Sequence, residues 1–420
     1  VEKNQGNPRD GEGEREQETK ERGAIRLRIR CRLVQYDTLG YLKTRRGFPR
    51  KPIIEEKMKR IGAVVCLLYV FLCWGCTQAP QVVAVARPIM GTIVEISVAA
   101  QDEDAAFHAI KAAFSEMERI EREMSFFREE SELSRLNRLA GRGPVQVSQE
   151  LVALLRTSLR ISQLTQGAFD VTVAPLLRLW PIYRAEKILP TDDRIREALS
   201  HVGYRKLMVS EHDRTVAFAD PGMAVDLGGI AKGYAIDRAV AILKNLGVRA
   251  ALVNAGGDVY AYGRKPNGDP WTIGIRHPRQ KDGVLAAAKV KDMAIVTSGD
   301  YERFFIKDGK RYSHIIDPRS GFTAQKTASV TVTAPEAVVA DGLATGVLVL
   351  GAEKGLSVVE SIPGVEAAVI TEGPSGGLEM RVSAHFLKNL EIDPASIRRQ
   401  GIRLVERPGA TPPASGPVSE

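Results

Sequence analysis

From Lys206 onward the chain is a succession of short β-type runs punctuated by Gly, Asp and Pro, and only two helical stretches interrupt them. The runs are "LMVS", "TVAFA", "ALVNAGGDVYAYG", "WTIGIRH", "AAAKVKDMAIVTSG" and "SVTVTA". One helix is expected to open at Gly228, with Ile236, Val240 and Leu243 on its inner face, and the other to cover about 336–350. Successive strands without a helix between each pair do not make a doubly wound parallel sheet, and no internal repeat is visible. The fold class is therefore α+β.

The first half supplies most of the helices. "VVAVARPIMGTIVEISVAA" reads as two strands around a turn at Met90-Gly91-Thr92. Phe107, Ile110, Phe114, Met117 and Ile120 then recur at three- and four-residue steps, which predicts one apolar helical stripe. "SFFREESELSRLN" breaks that pattern, a second helix is expected over 149–164, and "GAFDVTVAPLLRLW" turns the chain back. A short helix is expected from near Thr191, where Asp192 and Asp193 suit a helix N-terminus.

The 420 residues carry a net charge of +8, a value that invites comparison with nucleic-acid binders. Residues 1–60 hold +7 of it, which leaves +1 for the rest, so nucleic acid is not an expected partner. Residues 1–57 are charged and irregular, and read as disordered or as an untranslated upstream extension, the latter being preferred. Met58 begins "MKRIGAVVCLLYVFLCWGC": a Lys-Arg start, an apolar run over 61–72 and a Gly75-Cys76 pair. Residues 58–75 resemble a bacterial lipoprotein signal peptide cleaved before Cys76, whose thiol would carry the lipid. Cys73 stands where Leu is usual, and a plain N-terminal anchor is the alternative. All four cysteines (Cys31, Cys66, Cys73, Cys76) lie at or before that point, so the mature chain has no pair for a disulfide. A linker over 76–84, one large domain over 85–405 and a Pro-rich disordered tail over 406–420 complete the expected organisation.

Chemistry concentrates in a few stretches. In "VDLGGIAKGYAID" Asp226, Gly228, Gly229 and Lys232 surround a helix start, which either cradles an anion or is a helix cap with a surface lysine. The pair Gly256-Gly257 allows close backbone approach, or a bulged hairpin. Asp341 and Thr345 are four residues apart on one helical face among apolar neighbours, so a carboxylate and a hydroxyl point the same way. Mg²⁺ would satisfy them, as would a loop cap and a hydroxyl bonded back to its own helix. His314, beside Ile315 and Ile316, is a core histidine or a catalyst. Phe169 next to Asp170, and Phe126 with Phe127, offer rings for stacking or for the core.

Taken in order, "MGT", "MSFFREESELSRLN", "GAFDVTVAPLLRLW", "VDLGGIAKGYAID", "LVNAGGDVYAYG", "WTIGIRHP", "IVTSGDYERFF", "YSHIIDPRSG" and "ADGLATG" resemble the ApbE-type FAD:protein FMN transferases over residues 85–373. The resemblance implies a T-fold-like, two-lobed α+β domain with FAD bound between the lobes. It implies Mg²⁺ dependence, and transfer of FMN from FAD to a Thr or Ser hydroxyl of an acceptor protein, an electron-transport subunit, with release of AMP. Met90, Phe127, Ala168, Phe169, Asp170, Asp226, Lys232, His314 and Ile315 would contact FAD. The Gly229 carbonyl, Asp341 and Thr345 would hold the metal, and His314 and Asp341 would be catalytic. Phe127 stands where the family commonly has Tyr. A lipid on Cys76 implies a membrane-anchored, periplasm-facing protein. Hydrolysis of FAD to FMN and AMP at the same site, and a non-catalytic flavin carrier, are the competing functions.

Overall fold

The computed structural model describes residues 81–182, 184–373 and 376–405; the leader, Cys76 and the tail after 405 lie outside the described residues. The first hairpin is β1 (Gln81–Ile89) and β2 (Thr92–Ala100). Its two-residue turn places Met90 at φ 55° and Gly91 at φ 68°, the left-handed pair that suits the twist of a tight hairpin. Next comes α1 (Glu103–Met124), capped by the Asp102 carboxylate, which accepts from the Asp104 and Ala105 N–H groups. Its buried stripe contains Ala106, Ile110, Ala113, Met117, Ile120 and Met124. The inward face thus begins one residue before Phe107, and Phe107, expected inside, is 45% exposed.

The segment expected to break the pattern contains a short helix, α2 (Glu132–Arg138), whose cap Ser131 Oγ accepts from Ser134 N at 3.0 Å. Two buried leucines, Leu133 and Leu136, are too few to register as a period. β3 (Val145–Gln146) precedes α3 (Gln149–Leu164), whose bounds are those expected. α4 (Ala174–Leu179) and α5 (Asp192–Ser200) follow, the latter capped by Thr191. β4 (Leu207–Ser210) and β5 (Thr215–Phe218) join β3 in a three-stranded sheet. α6 (Ala231–Asn245) begins three residues after Gly228, because Ile230 N and Ala231 N both donate to Leu227 O and close a turn first.

The remaining strands are β6 (Ala251–Ala255), β7 (Asp258–Tyr262), β8 (Trp271–Arg276), β9 (Val284–Val290), β10 (Met293–Gly299), β11 (Phe304–Lys307), β12 (Lys310–Ser313) and β13 (Thr327–Ala334). They lead into α7 (Ala337–Leu350), α8 (Ala352–Glu360), β14 (Glu366–Glu372), β15 (Leu378–Val382), α9 (Phe386–Asn389), α10 (Pro394–Arg399) and β16 (Ile402–Leu404). Among the described residues nine strands form the main sheet, ordered β1-β2-β6-β7-β10-β13-β14-β15-β16. All neighbours are antiparallel except β15 and β16.

Both faces of this sheet are covered, which explains why β13 is buried at every residue. Alternate residues serve two cores: Val296 and Val369 pack with α1, α3, α6 and α7, whereas Ile295 and Ile370 pack with β8, β9, α9 and α10. A third cluster gathers Leu176, Trp180, Ile195 and Ile316 beneath the β11–β12 hairpin.

Close contact between α6 and α7 depends on one glycine. A Cβ on Gly233 would lie 2.3 Å from the Ala337 carbonyl oxygen, so a larger residue would force the helices apart. Asp237 of α6 caps α7, accepting from Ala337 N and Val338 N at 2.8 Å each. Burial raises the Asp237 pKa to about 6.

Candidate active site

The α6–α7 junction gathers four of the residues singled out in the sequence. Asp341 sits in the second turn of α7, 3% exposed, and its Oδ2 accepts from Gly233 N at 2.9 Å. It is therefore neither a loop cap nor solvated. One turn further on, Thr345 Oγ1 is 3.4 Å from Ser298 Oγ of β10. Gly229 comes against the same hydroxyl: a Cβ there would stand 3.4 Å from Thr345 Oγ1 and 3.3 Å from the Phe169 ring. Lys232, in the first turn of α6, forms an ion pair with Asp258 at the start of β7.

The Gly pair before α6 is held by its own aspartate, since Asp226 Oδ1 accepts from Gly228 N at 2.8 Å. Asp226 N donates to Val171 O at 2.8 Å, which ties this turn to the segment carrying Phe169 and Asp170. Ala168 and Phe169 are buried. Asp170 is buried too and fully engaged: Oδ1 accepts from Thr172 N and Oγ1, and Oδ2 from Tyr204 N at 2.7 Å. Its carboxylate thus shapes the loop that presents Phe169.

A second wall comes from turns. Met90 N donates to Glu121 Oε1 at 2.9 Å, and the neighbouring Gly91 carbonyl accepts from Arg303 Nη2 at 3.3 Å. Arg303 O in turn accepts from His314 N at 2.9 Å and lies 3.3 Å from His314 Nδ1. A carbonyl only accepts, so the ring proton belongs on Nδ1 and the Nε2 lone pair is left for other work. Ile315 is buried directly behind. Phe127 is 80% exposed and packs edge-on to Phe126 with centroids 5.6 Å apart. Phe127 thus presents its ring largely to solvent.

Electrostatics follow burial. Removal from water pushes the Asp341 carboxyl up, against the pull of the Lys232 charge and the Gly233 N–H. Burial likewise raises Asp226, opposed by the Gly228 N–H, and raises Asp170, opposed by its three donors. His314 is pushed down to about 4 by burial first and then by the Arg303 and Lys232 cations, so its imidazole is neutral at neutral pH.

The donors around Asp341, Thr345 and Gly229 are a carboxylate, a hydroxyl and a main-chain carbonyl, all hard oxygens. Among the described residues no group of three His, Cys, Asp or Glu side chains is placed to hold a metal ion. A single carboxylate nevertheless suits Mg²⁺, which typically takes one or two carboxylates and completes its shell with substrate phosphates and water. The glycine at 229 leaves space a Cβ would fill, and the three donors fit such an ion.

Three residues of the arrangement escaped the sequence reading. Asp258 lies in the quoted "NAGGD", and its signal was an acidic residue opening a β run, where Asp is depleted. Asp237 stands at helical spacing behind Gly233, among residues reading as the inner face of α6. Asn137 pairs with the backbone of Val225, donating to its carbonyl at 2.8 Å and accepting from its N–H at 2.7 Å, and so fastens the pre-α6 turn to α2. Nothing local marks that asparagine.

Oxygen donors, a half-buried ammonium and an aromatic ring around one helix start define a protein equipped for a phosphate-bearing aromatic ligand. The chain belongs to the ApbE family, whose pattern matches residues 90–369. It is 36% identical over 331 residues to the FAD:protein FMN transferase of Treponema pallidum (strain Nichols), covering 74% of this chain and 90% of that one. With the enzyme of the same name from Vibrio cholerae it shares 35% identity over 71% of this chain and 90% of the relative. The solved ApbE protein of Thermotoga maritima superposes with a TM-score of 0.68 at 35% identity, over 74% of this chain and 99% of that one. The solved flavin transferase ApbE of Vibrio cholerae gives 0.66 at 32% identity, over 74% and 99%.

Proposed function

We propose that this chain is an FAD:protein FMN transferase, moving FMN from FAD to a Thr or Ser hydroxyl of an acceptor protein and releasing AMP. The observation that carries this reading is the convergence of Gly229, Lys232, Asp341 and Thr345 beside Phe169. The Lys232 ammonium and the α6 N-terminus supply positive potential for the pyrophosphate. Phe169 lies at the edge of the same space and orients the flat part of the dinucleotide. His314, neutral and with Nε2 available, takes the proton of the acceptor hydroxyl as its oxygen bonds to the FMN phosphorus. The bond between that phosphorus and the bridging oxygen breaks, and AMP leaves with the electron pair. The chain's own residues thus bind, orient and deprotonate. Bound at Asp341, Thr345 and the Gly229 carbonyl, Mg²⁺ would supply charge neutralisation and Lewis acidity at the pyrophosphate.

The same reading places the domain on a membrane through a lipid on Cys76, facing the periplasm, with an electron-transport subunit as acceptor. The sequence of 58–76 supports the anchor. Incubation with FAD, Mg²⁺ and a candidate acceptor, followed by weighing the acceptor, is the test. A mass gain of one FMN with equimolar AMP supports transfer; AMP and free FMN without a mass gain would mean hydrolysis instead.

A further inference from the structure

Lys232 is flanked by two buried carboxylates with different anchors. Asp341 is fixed by the Gly233 N–H of α6. Asp258, 2% exposed, is in contact with the Lys232 ammonium, and its other oxygen lies 3.4 Å from Thr297 N. The Lys232 charge acts on Asp341 as well. Asp341 thus lies against the residue next to Lys232, while the flexible four-carbon arm of Lys232 rests on Asp258. Were it to swing to Asp341, the ammonium would occupy the oxygen that a divalent cation needs.

We propose that Asp258 is a positioning residue for Lys232: it holds the ammonium away from Asp341, which keeps that carboxylate open to the metal while leaving the charge close to the pyrophosphate. Asp258 is too enclosed to serve the ligand directly, so it acts through Lys232. The inference rests on the transferase reading and adds to it a division of labour between two aspartates on different elements. Without Asp258, Lys232 and the divalent ion become rivals for Asp341.

The test is Mn²⁺ binding to the whole protein without nucleotide, read from the electron paramagnetic resonance of free Mn²⁺. Asp258→Asn is expected to weaken Mn²⁺ binding by about tenfold, because the freed ammonium takes Asp341. In a Lys232→Met background the same substitution is expected to change it by less than about twofold, since no ammonium is left to move. Lys232→Met alone, with Asp258 intact, is expected to bind Mn²⁺ at least as well as the unaltered protein, an arm that stands even where Asp258→Asn fails to fold. Unchanged Mn²⁺ affinity in folded Asp258→Asn, an equal loss in both backgrounds, or a loss in Lys232→Met would each overturn the proposal. AMP release from FAD by the unaltered protein tests the transferase reading separately.

Discussion

The α6–α7 junction and the wall built from the Met90 turn and His314 hold their side chains by different means. At the junction, Asp341, Gly233 and Asp237 sit on two helices that a glycine brings into contact, and each polar group has a partner on the other helix. At the wall, the Gly91 carbonyl beside Met90 accepts from Arg303, whose own carbonyl meets His314, so turns and strand ends make the links. The first arrangement fixes where charge sits; the second leaves Met90 and His314 half-buried, and Arg303 and the Phe127 ring exposed. Rigid helices suit the demanding geometry of the phosphate, whereas turns suit a face that admits a second protein.

Substitutions can break this contrast, and the largest effect is expected at the junction. Asp341→Asn keeps an oxygen for Gly233 N but removes the charge, and FMN transfer is expected to fall on the order of 10³-fold with the fold intact. Turnover with circular dichroism checks both parts.

His314→Ala at the wall is expected to cost about 100-fold in kcat, with little change in FAD affinity. A pH series sharpens this. The folded imidazole gains its proton only near 4, against 6.5 when free, so protons bind the unfolded chain first as the pH falls. Stability from the neutral ring is therefore complete above 6.5 and lost towards 4, and the acid limb of kcat/KM in the free enzyme is expected near 4. Denaturant midpoints over this range, compared with His314→Ala, report the first effect, and initial rates report the second.

Gly233→Ala tests the junction through packing alone. The added methyl meets the Ala337 carbonyl, and a stability loss of about 2 kcal/mol is expected from urea unfolding. At the other extreme, Phe127→Ala is expected to change stability by less than about 0.5 kcal/mol, because the ring is exposed, so any effect should be confined to KM.

Much of this architecture was legible in the residues. Helix α3 and the turn at Met90 carry strong local signals, a clean period in one case and a Gly after a strand in the other. The four-residue spacing of Asp341 and Thr345 by itself puts them on one helical face. Less legible were relations between distant segments. Asp258 meets Lys232 only because β7 lies beside β10 under α7, and Asn137 reaches Val225 across 88 positions of sequence. Phe107 failed for a local reason: Ala106 carries the first turn of the α1 stripe, whose other expected members, Ile110, Phe114, Met117 and Ile120, are buried.

The most direct test is crystallography of the protein with FAD and Mn²⁺, using the anomalous signal to locate the ion. The account predicts one ion bonded to Asp341, Thr345 and the Gly229 carbonyl and touching the pyrophosphate. An ion and a pyrophosphate bound away from the start of α6, in an active protein, would contradict it.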